Sequence, residues 1–153
     1  MVGGFRSIAV AIDGSSHAAE ALTAAIDLAR RYEAPLTILA VVPSPSAMVL
    51  PNEPLPTPVI QVDGPKFRAL VDEAIEQARA AGLTAVDGVC EEGAIVEAIL
   101  DHLQQHPVDL LVVGSRGLST AKRLLLGSVS TALVNRAPCP VLVVRPTATK
   151  PAR

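Results

Sequence analysis

Residues 108–117 read VDLLVVGSRG, and the pair Gly127-Ser128 follows after nine further residues. The run before Gly114 is rich in consecutive apolar and β-branched residues, which is typical of a parallel strand covered on both faces. Gly114 and Gly117 can adopt positive φ angles and allow a ligand to approach the main chain. This stretch therefore predicts a strand that ends at Gly114 and continues into a phosphate-binding connection.

The residues after Gly127 predict a short helix that begins near Val129. The first N–H groups of a helix have no intrahelical partner and lie at the positive end of the helix dipole, so they suit an anion. The hydroxyl groups of Ser128 and Ser130 could donate further hydrogen bonds, and Arg116 could supply a cation. The same pattern is also typical of a simple turn before a capped helix, and generic chemistry alone supports the two interpretations about equally.

Charge is distributed unevenly along the 153 residues, although the formal net charge is only −2. All 15 acidic residues precede Gly114, whereas seven of the 13 basic residues follow it. This asymmetry indicates an anionic partner near the glycine-rich stretch, although a solvated basic face would look similar.

Apolar runs and amphipathic helical patterns alternate along the whole chain. This alternation predicts an α/β fold, a three-layer sandwich in which helices cover a five-stranded, parallel, doubly wound sheet. The length suits one domain, which we predict to span residues 1–153. The predicted strands are residues 8–12, 36–42, 83–89, 108–113 and 141–144, and the polar content of the third favours a sheet edge.

Asp13 follows the first predicted strand and precedes Gly14-Ser15. In open α/β sheets, ligands bind at the carboxyl ends of the strands, so this carboxylate is a candidate binding group. It could equally cap the helix that follows, and the two roles are compatible. His17 offers no partner from which a catalytic role could be argued.

Seven prolines fall within residues 43–65, a density that excludes a helix or a central strand. We predict a Pro-rich surface loop there, either a lid over a ligand or, with more support, a solvated connection. Residues 146–153 are predicted to form a flexible tail.

Composition disfavours several partner classes. No apolar run approaches the roughly 18 residues of a membrane span, and no signal-like segment opens the chain, so we expect a cytoplasmic protein that contacts no membrane. The three aromatic residues are too few for a typical single-stranded nucleic-acid binder.

His102 and His106 have metal-ligand spacing but lack further ligands, so no metal site is predicted. Cys90 and Cys139 are expected to be reduced and buried.

The motif G-x2-G-x9-G-[ST] at residues 114–128 resembles the one that marks ATP-binding members of the universal stress protein family. The likeness extends to NRAPCPVLVVR at 135–145, IAVAIDGS at 8–15 and DLLVVG at 109–114. It covers nearly the whole chain, with the central loop the main unmatched part. The resemblance implies an adenine nucleotide alpha-hydrolase-like fold with strand order 3-2-1-4-5, which would place Asp13 beside Gly114.

The resemblance also implies ATP as the ligand and a homodimer formed through the last strand, Val141–Val144. Such an apolar strand is a hazard at an open edge, and pairing with a second subunit would cover it.

A magnesium ion that bridges the phosphates would need few protein ligands. An aliphatic slot for adenine is expected between Ile12 and Val41, with main-chain groups of Val41 at the ring edge. The residues carried over to the ATP site are Asp13, Val41, Gly114, Arg116, Gly117, Gly127, Ser128, Val129 and Ser130.

These expectations favour an ATP-binding stress-response or signalling module that acts as a nucleotide-dependent switch. No carboxylate or histidine occurs between Gly114 and Arg136, so Asp13 is the evident candidate base, and slow or negligible turnover is expected. Two alternatives stay open. One is a weak ATPase or autokinase that uses Asp13 and a serine, and the other is a stress-linked interaction protein that acts without nucleotide.

Overall fold

The computed structural model of the chain describes residues 4–44, 63–116 and 126–146. Within these ranges strands and helices alternate, and none of the helices is both long and apolar enough to cross a lipid bilayer. The strands are β1 (Ile8–Ile12), β2 (Leu36–Pro43), β3 (Val86–Gly93), β4 (Leu110–Gly114) and β5 (Val141–Val144). The helices are α1 (Ser16–Tyr32), α2 (Gly64–Ala80), α3 (Ile95–Gln105) and α4 (Ser128–Arg136).

The five strands form one sheet in the order β3-β2-β1-β4-β5. Every neighbouring pair is parallel, so the predicted α/β class and strand order are confirmed. The order reverses at β1, because the chain continues from β1 to β2 on one side and β4 lies on the other side. An open sheet has a crevice at such a reversal point, beyond the carboxyl ends of the strands.

Two apolar clusters pack on opposite faces of the sheet. Successive residues of a strand face opposite sides. In β1, Ile8 and Val10 pack with α1 and α2, whereas Ala9 packs with α3 and α4. The structure therefore has the predicted three layers, and the described residues place two helices on each face of the sheet.

The Pro-rich loop predicted at residues 43–65 is too wide at both ends. Pro43 is the last residue of β2, where it closes the strand instead of interrupting it. Asp63 caps α2, and Pro65 lies in the first turn of that helix, where an N–H group has no intrahelical partner. The remainder of the prediction, residues 45–62, lies outside the described ranges.

The two edge strands differ in chemistry. β3 lies at one edge, as its polar residues predicted, and it carries Asp87 and Glu91 but begins at Val86 instead of residue 83. β5 lies at the other edge and is entirely apolar, with Leu142 38% exposed. Most of the predicted tail, residues 147–153, lies outside the described ranges.

The cysteines are free but only half-buried, whereas the sequence predicted buried side chains. Partial burial nevertheless raises the pKa of both thiols, Cys90 and Cys139. Both therefore favour the neutral thiol form at neutral pH.

Candidate functional site

The carboxyl ends of β1 and β4 lie side by side at the reversal point. The register pairs Val10 with Val112, so the residues that follow β1 are level with those that follow β4. Asp13 consequently lies beside the end of β4 at Gly114, as expected from the strand order. β2 continues beyond its last pair with β1, so the end of β2 borders the same crevice.

Ser115 connects three elements through its main-chain groups. Its N–H donates to the carbonyl of Val144 at the end of β5, with an N···O distance of 2.9 Å. Its carbonyl accepts hydrogen bonds from the N–H of Gly127 at 2.8 Å and from the hydroxyl of Ser130 at 2.9 Å. The beginning of α4 is thereby held against the end of β4. The sequence prediction omitted Ser115 from the site, although this residue stands inside the glycine motif.

The side chain of Ser115 meets the first turn of α1. The Oγ of Ser115 lies 3.1 Å from the Nδ1 of His17, although 98 residues separate the two. The sequence offered no partner from which a catalytic role for His17 could be argued, and the structure gives it a hydrogen-bond partner in Ser115. The signal that could have found this pair is topological: parallel neighbours such as β1 and β4 deliver the residues that follow them to the same place.

Gly114 does not adopt the positive φ that the sequence suggested for it. Among the described glycines, positive φ occurs at Gly14, Gly82 and Gly93, and neither Gly114 nor Gly127 is among them. A Cβ at Gly114 would lie 2.8 Å from the main-chain carbon and oxygen of His17. The missing side chain thus admits the first turn of α1, and it is close packing within the protein that requires glycine here.

Gly127 likewise packs against protein main chain. It has an extended conformation with φ of −61°, and a Cβ there would lie 3.3 Å from the Cα of Arg116 and 3.4 Å from the carbonyl oxygen of Ser115. Gly127 therefore lets α4 start close to the residues that follow β4. Gly117, the second glycine of the predicted cradle, lies outside the described ranges.

The N-terminus of α4 is the part of this site best suited to an anion. Gly127 is the N-cap residue, and within the described ranges no side chain caps the helix. The N–H groups of Ser128, Val129 and Ser130 have no intrahelical acceptor, since they belong to the first turn. They carry the positive end of the helix dipole, and Arg116 lies close to the N-cap.

The two serines at the start of α4 differ in exposure. Ser128 is exposed, whereas Ser130 is 3% exposed and its hydroxyl donates to the carbonyl of Ser115. The proton of the Ser130 hydroxyl is thus used within the protein, which differs from the expectation that both hydroxyl groups donate to an anion. The N–H group of Ser130 and the hydroxyl of Ser128 remain suitable donors.

Asp13 supports the helix start without being its cap. Ser15 is the N-cap residue of α1, and its hydroxyl oxygen accepts a hydrogen bond from the N–H of Ala18 at 3.1 Å. The Oδ1 of Asp13 accepts from the N–H of Ser15 at 2.9 Å. The half-buried carboxylate is thereby oriented at the end of β1, and Oδ2 is the atom that this bond does not occupy.

Ile12 and Val41, the strand tips predicted to provide an aliphatic slot for adenine, do not bring their side chains together. Ile12 packs in the cluster beneath α1 and α2, whereas Val41 packs in the cluster beneath α3 and α4. Both side chains are buried, and they lie on opposite faces of the sheet. The main chain of Val41 borders the crevice, because β2 last pairs with β1 at Ala40.

His102 lies on α3 and contacts β3, whereas His106 is the exposed C-cap residue of that helix. His102 is buried, and its Nδ1 lies 3.3 Å from the Oε1 of Glu91. The ring centroids of His102 and His106 are 4.8 Å apart. No group of three or more potential metal ligands occurs in the part of the chain that the structure describes.

The family resemblance is confirmed by comparison with known proteins. The model of the universal stress protein family matches residues 4–145. The chain is 37% identical over 148 residues to the universal stress protein YxiE of Bacillus subtilis. That alignment covers 92% of this chain and 99% of the Bacillus protein. A solved universal stress protein in complex with cAMP is 30% identical, with a TM-score of 0.70 and coverage of 92% of this chain and 97% of that one. UspA from Lactobacillus plantarum is 27% identical, with a TM-score of 0.65 and coverage of 92% and 98%. The chain belongs to the universal stress protein family.

Proposed function

We propose that this chain binds an adenine nucleotide, ATP with magnesium, at the carboxyl edge of the sheet between β1 and β4. The observation that carries the proposal is the N-terminus of α4, which has no side-chain cap in the described ranges and is held by Ser115 beside Asp13. A helix start of this kind offers several N–H donors to one anion. The similar structure in complex with cAMP supports an adenine nucleotide as the ligand class.

The proposed site divides into a phosphate half and a nucleoside half. In the nucleoside half, the Asp13 carboxylate and the main chain of Val41 flank the crevice from the ends of β1 and β2. Magnesium would be held mainly by phosphate oxygens, because the described ranges bring no cluster of carboxylates to this edge. The phosphate half would be formed by Gly114, Arg116, Gly117, Gly127, Ser128, Val129 and Ser130.

The nucleotide would act as a switch in a homodimer formed through β5. A hydrogen bond between the proposed nucleotide site and the edge strand β5 supports this. The N–H of Ser115 donates to the carbonyl of Val144, the last residue of β5. A shift of Ser115 when phosphate binds would therefore reach the edge strand without an intermediate. We place this switch in the cytoplasm, where ATP is abundant, and in a single domain that spans residues 1–153.

Mass spectrometry of ligand released from purified, denatured protein tests the proposal. We expect an adenine nucleotide to co-purify, and ATP with magnesium to raise the melting temperature of ligand-free protein by mass action. A chain that releases no nucleotide and melts at the same temperature with and without millimolar ATP would instead be an interaction protein that acts without nucleotide. A parallel turnover assay on wild type and Asp13→Ala would reveal any ATPase activity that depends on this carboxylate.

A further inference from the structure

The imidazole ring of His17 lies beside Ser115, the residue that joins the end of β4 to the start of α4. His17 is the second residue of α1, and its Cβ would be 3.0 Å from a Cβ placed on Gly114. The ring nitrogen Nδ1 reaches the hydroxyl of Ser115, the next residue along. The side chain of His17 therefore runs along the end of β4, at the connection that holds the start of α4.

The contact with Ser115 sets the Nδ1 atom of the His17 ring against a hydroxyl group, and the tautomer of the ring determines which of the two donates. Ser115 is only 6% exposed, and its buried hydroxyl requires an acceptor for its proton. The Nδ1 of His17 is within hydrogen-bond distance at 3.1 Å. When Nδ1 accepts this proton, the neutral ring carries its own hydrogen on Nε2, and a protonated ring also has a hydrogen there. In both states Nε2 is a donor and suits an anionic oxygen.

The surroundings of His17 favour the same class of ligand. The first turn of α1 has no acidic residue, and its N–H groups form the positive end of a second helix dipole. The Ser15 hydroxyl caps the N–H of Ala18, and the Asp13 carboxylate lies before this helix start, where it accepts from the N–H of Ser15. Ser115 joins this helix start to that of α4, because it bonds His17 through its hydroxyl and Gly127 through its carbonyl. Two helix N-termini thus meet at one residue, and His17 adds a side-chain donor to them.

We infer that His17 is a further phosphate-contacting residue, whose Nε2–H donates to a phosphate oxygen of the bound nucleotide. This inference rests on the proposed nucleotide site. It assigns to His17 a role in specificity: the residue increases the affinity for nucleoside polyphosphates and leaves the affinity for the nucleoside unchanged. Ser115 is the positioning residue that orients the ring.

Two substitutions of His17 separate this role from a structural one. His17→Asn places an amide oxygen near the position of Nδ1 and can still accept the Ser115 proton, but it has no group near the position of Nε2. His17→Gln places an amide N–H near the position of Nε2 and loses the acceptor at Nδ1. Calorimetric titration of ATP with magnesium, and of adenosine, into the full chain would compare both variants with wild type, with thermal melts as the control for folding.

We expect His17→Asn to lower the affinity for ATP roughly 10-fold, which is the loss typical of one hydrogen bond to a charged group. The affinity for adenosine should change less than about 2-fold. His17→Gln should retain most of the ATP affinity. Ser115→Ala keeps the main-chain hydrogen bonds of residue 115. It should lower the affinity for ATP several-fold, because the imidazole ring of His17 would be less ordered.

Four outcomes would overturn the inference. Equal losses of ATP and adenosine in His17→Asn would show a structural role, as would normal binding by His17→Asn with impaired binding by His17→Gln. Unchanged ATP binding in both variants would show that His17 makes no contact with phosphate. Wild type that binds neither ATP nor adenosine would remove the nucleotide site itself. This failure is distinct from the other three, because in those the wild type still binds ATP.

Discussion

At the scale of single residues, Ser115 holds the site together. Its N–H, carbonyl and hydroxyl bond to β5, to the start of α4 and to α1, respectively. Gly114 precedes Ser115 in the chain and Gly127 donates to its carbonyl, and both glycines are in close contact with protein main chain. The glycine motif therefore builds the site by letting protein segments approach each other, and the exposed N–H groups of α4 result from that packing.

Gly127→Val should abolish or strongly reduce ATP binding while the fold is retained. The φ of −61° is accessible to any residue, so the backbone itself is not strained by a side chain. A Cβ would nevertheless lie 3.3 Å from the Cα of Arg116, and the branched valine would push α4 away from Ser115. We expect ATP affinity to fall by more than about 10-fold in calorimetric titration, since several charge-assisted hydrogen bonds are lost together.

Gly64→Val provides the matched control for this prediction. A Cβ at Gly64, the first residue of α2, meets no atom within 4 Å. This variant should bind ATP as wild type does. Wild-type affinity in Gly127→Val would place the phosphates away from the start of α4.

Gly114→Ala should destabilise the fold. Its Cβ would lie 2.8 Å from the main-chain carbon and oxygen of His17, and main-chain atoms of a helix cannot rotate away as a flexible side chain can. Overpacking of this kind costs about 1–3 kcal/mol, which urea denaturation would measure as a lower free energy of unfolding. Gly64→Ala should show no such loss, and a Gly114→Ala variant as stable as wild type would contradict the close approach of α1 to β4.

Arg116→Ala should lower the affinity for ATP more than the affinity for adenosine. Arg116 lies next to the N-cap of α4, where a guanidinium group can donate to phosphate but not to a neutral nucleoside. We expect roughly a 10-fold loss for ATP in titration calorimetry. Arg136, at the other end of α4 and paired with Glu97 at 2.8 Å, provides the control, and Arg136→Ala should leave ATP affinity unchanged. Equal losses for ATP and adenosine in Arg116→Ala would place Arg116 away from the phosphates.

At the scale of elements, the two sheet edges explain why only β5 is proposed to pair with a second subunit. β3 carries acidic residues along its length, which is a common protection against edge pairing, and it ends at Gly93. β5 has four apolar residues and no charge. Edge pairing through β5 would cover Leu142, which is 38% exposed in the single chain.

Leu142→Lys should therefore convert the proposed dimer to monomers. Leu142 is preferable to Val143, which packs against the core cluster and whose replacement would also affect folding. Ile95→Lys, at a position on α3 that is 37% exposed, is a control of equal exposure. Sedimentation velocity should show a dimer for wild type and Ile95→Lys and a monomer for Leu142→Lys. An unchanged dimer in Leu142→Lys would exclude pairing through β5.

At the scale of the whole molecule, the class of the fold followed from the alternation of apolar runs with amphipathic helices. Each buried parallel strand is apolar at consecutive positions, which makes β1, β2 and β4 easy to recognise. The strand order came from the family resemblance, since local pattern does not determine which strands are neighbours. The polar strand β3 was recognised as an edge, but its start was misplaced because residues 83–85 resemble a strand in composition.

The candidate site was less predictable, because its contacts depend on register and on long-range placement. The pairing of Ile12 with Ala40 puts the side chains of Ile12 and Val41 on opposite faces, and a shift of one residue would have reversed this result. The contact between His17 and Ser115 joins residues that are far apart in the sequence. No local pattern predicts either feature.

Calorimetric titration of ATP with magnesium into the ligand-free protein is the most direct test of nucleotide binding at the start of α4. We expect saturable binding of one nucleotide per chain, and weaker binding of adenosine, because adenosine lacks the phosphate oxygens that accept hydrogen bonds from the N–H groups at the start of α4. A protein that melts cooperatively but shows no binding heat for either ligand at millimolar concentration, at two temperatures, would contradict it.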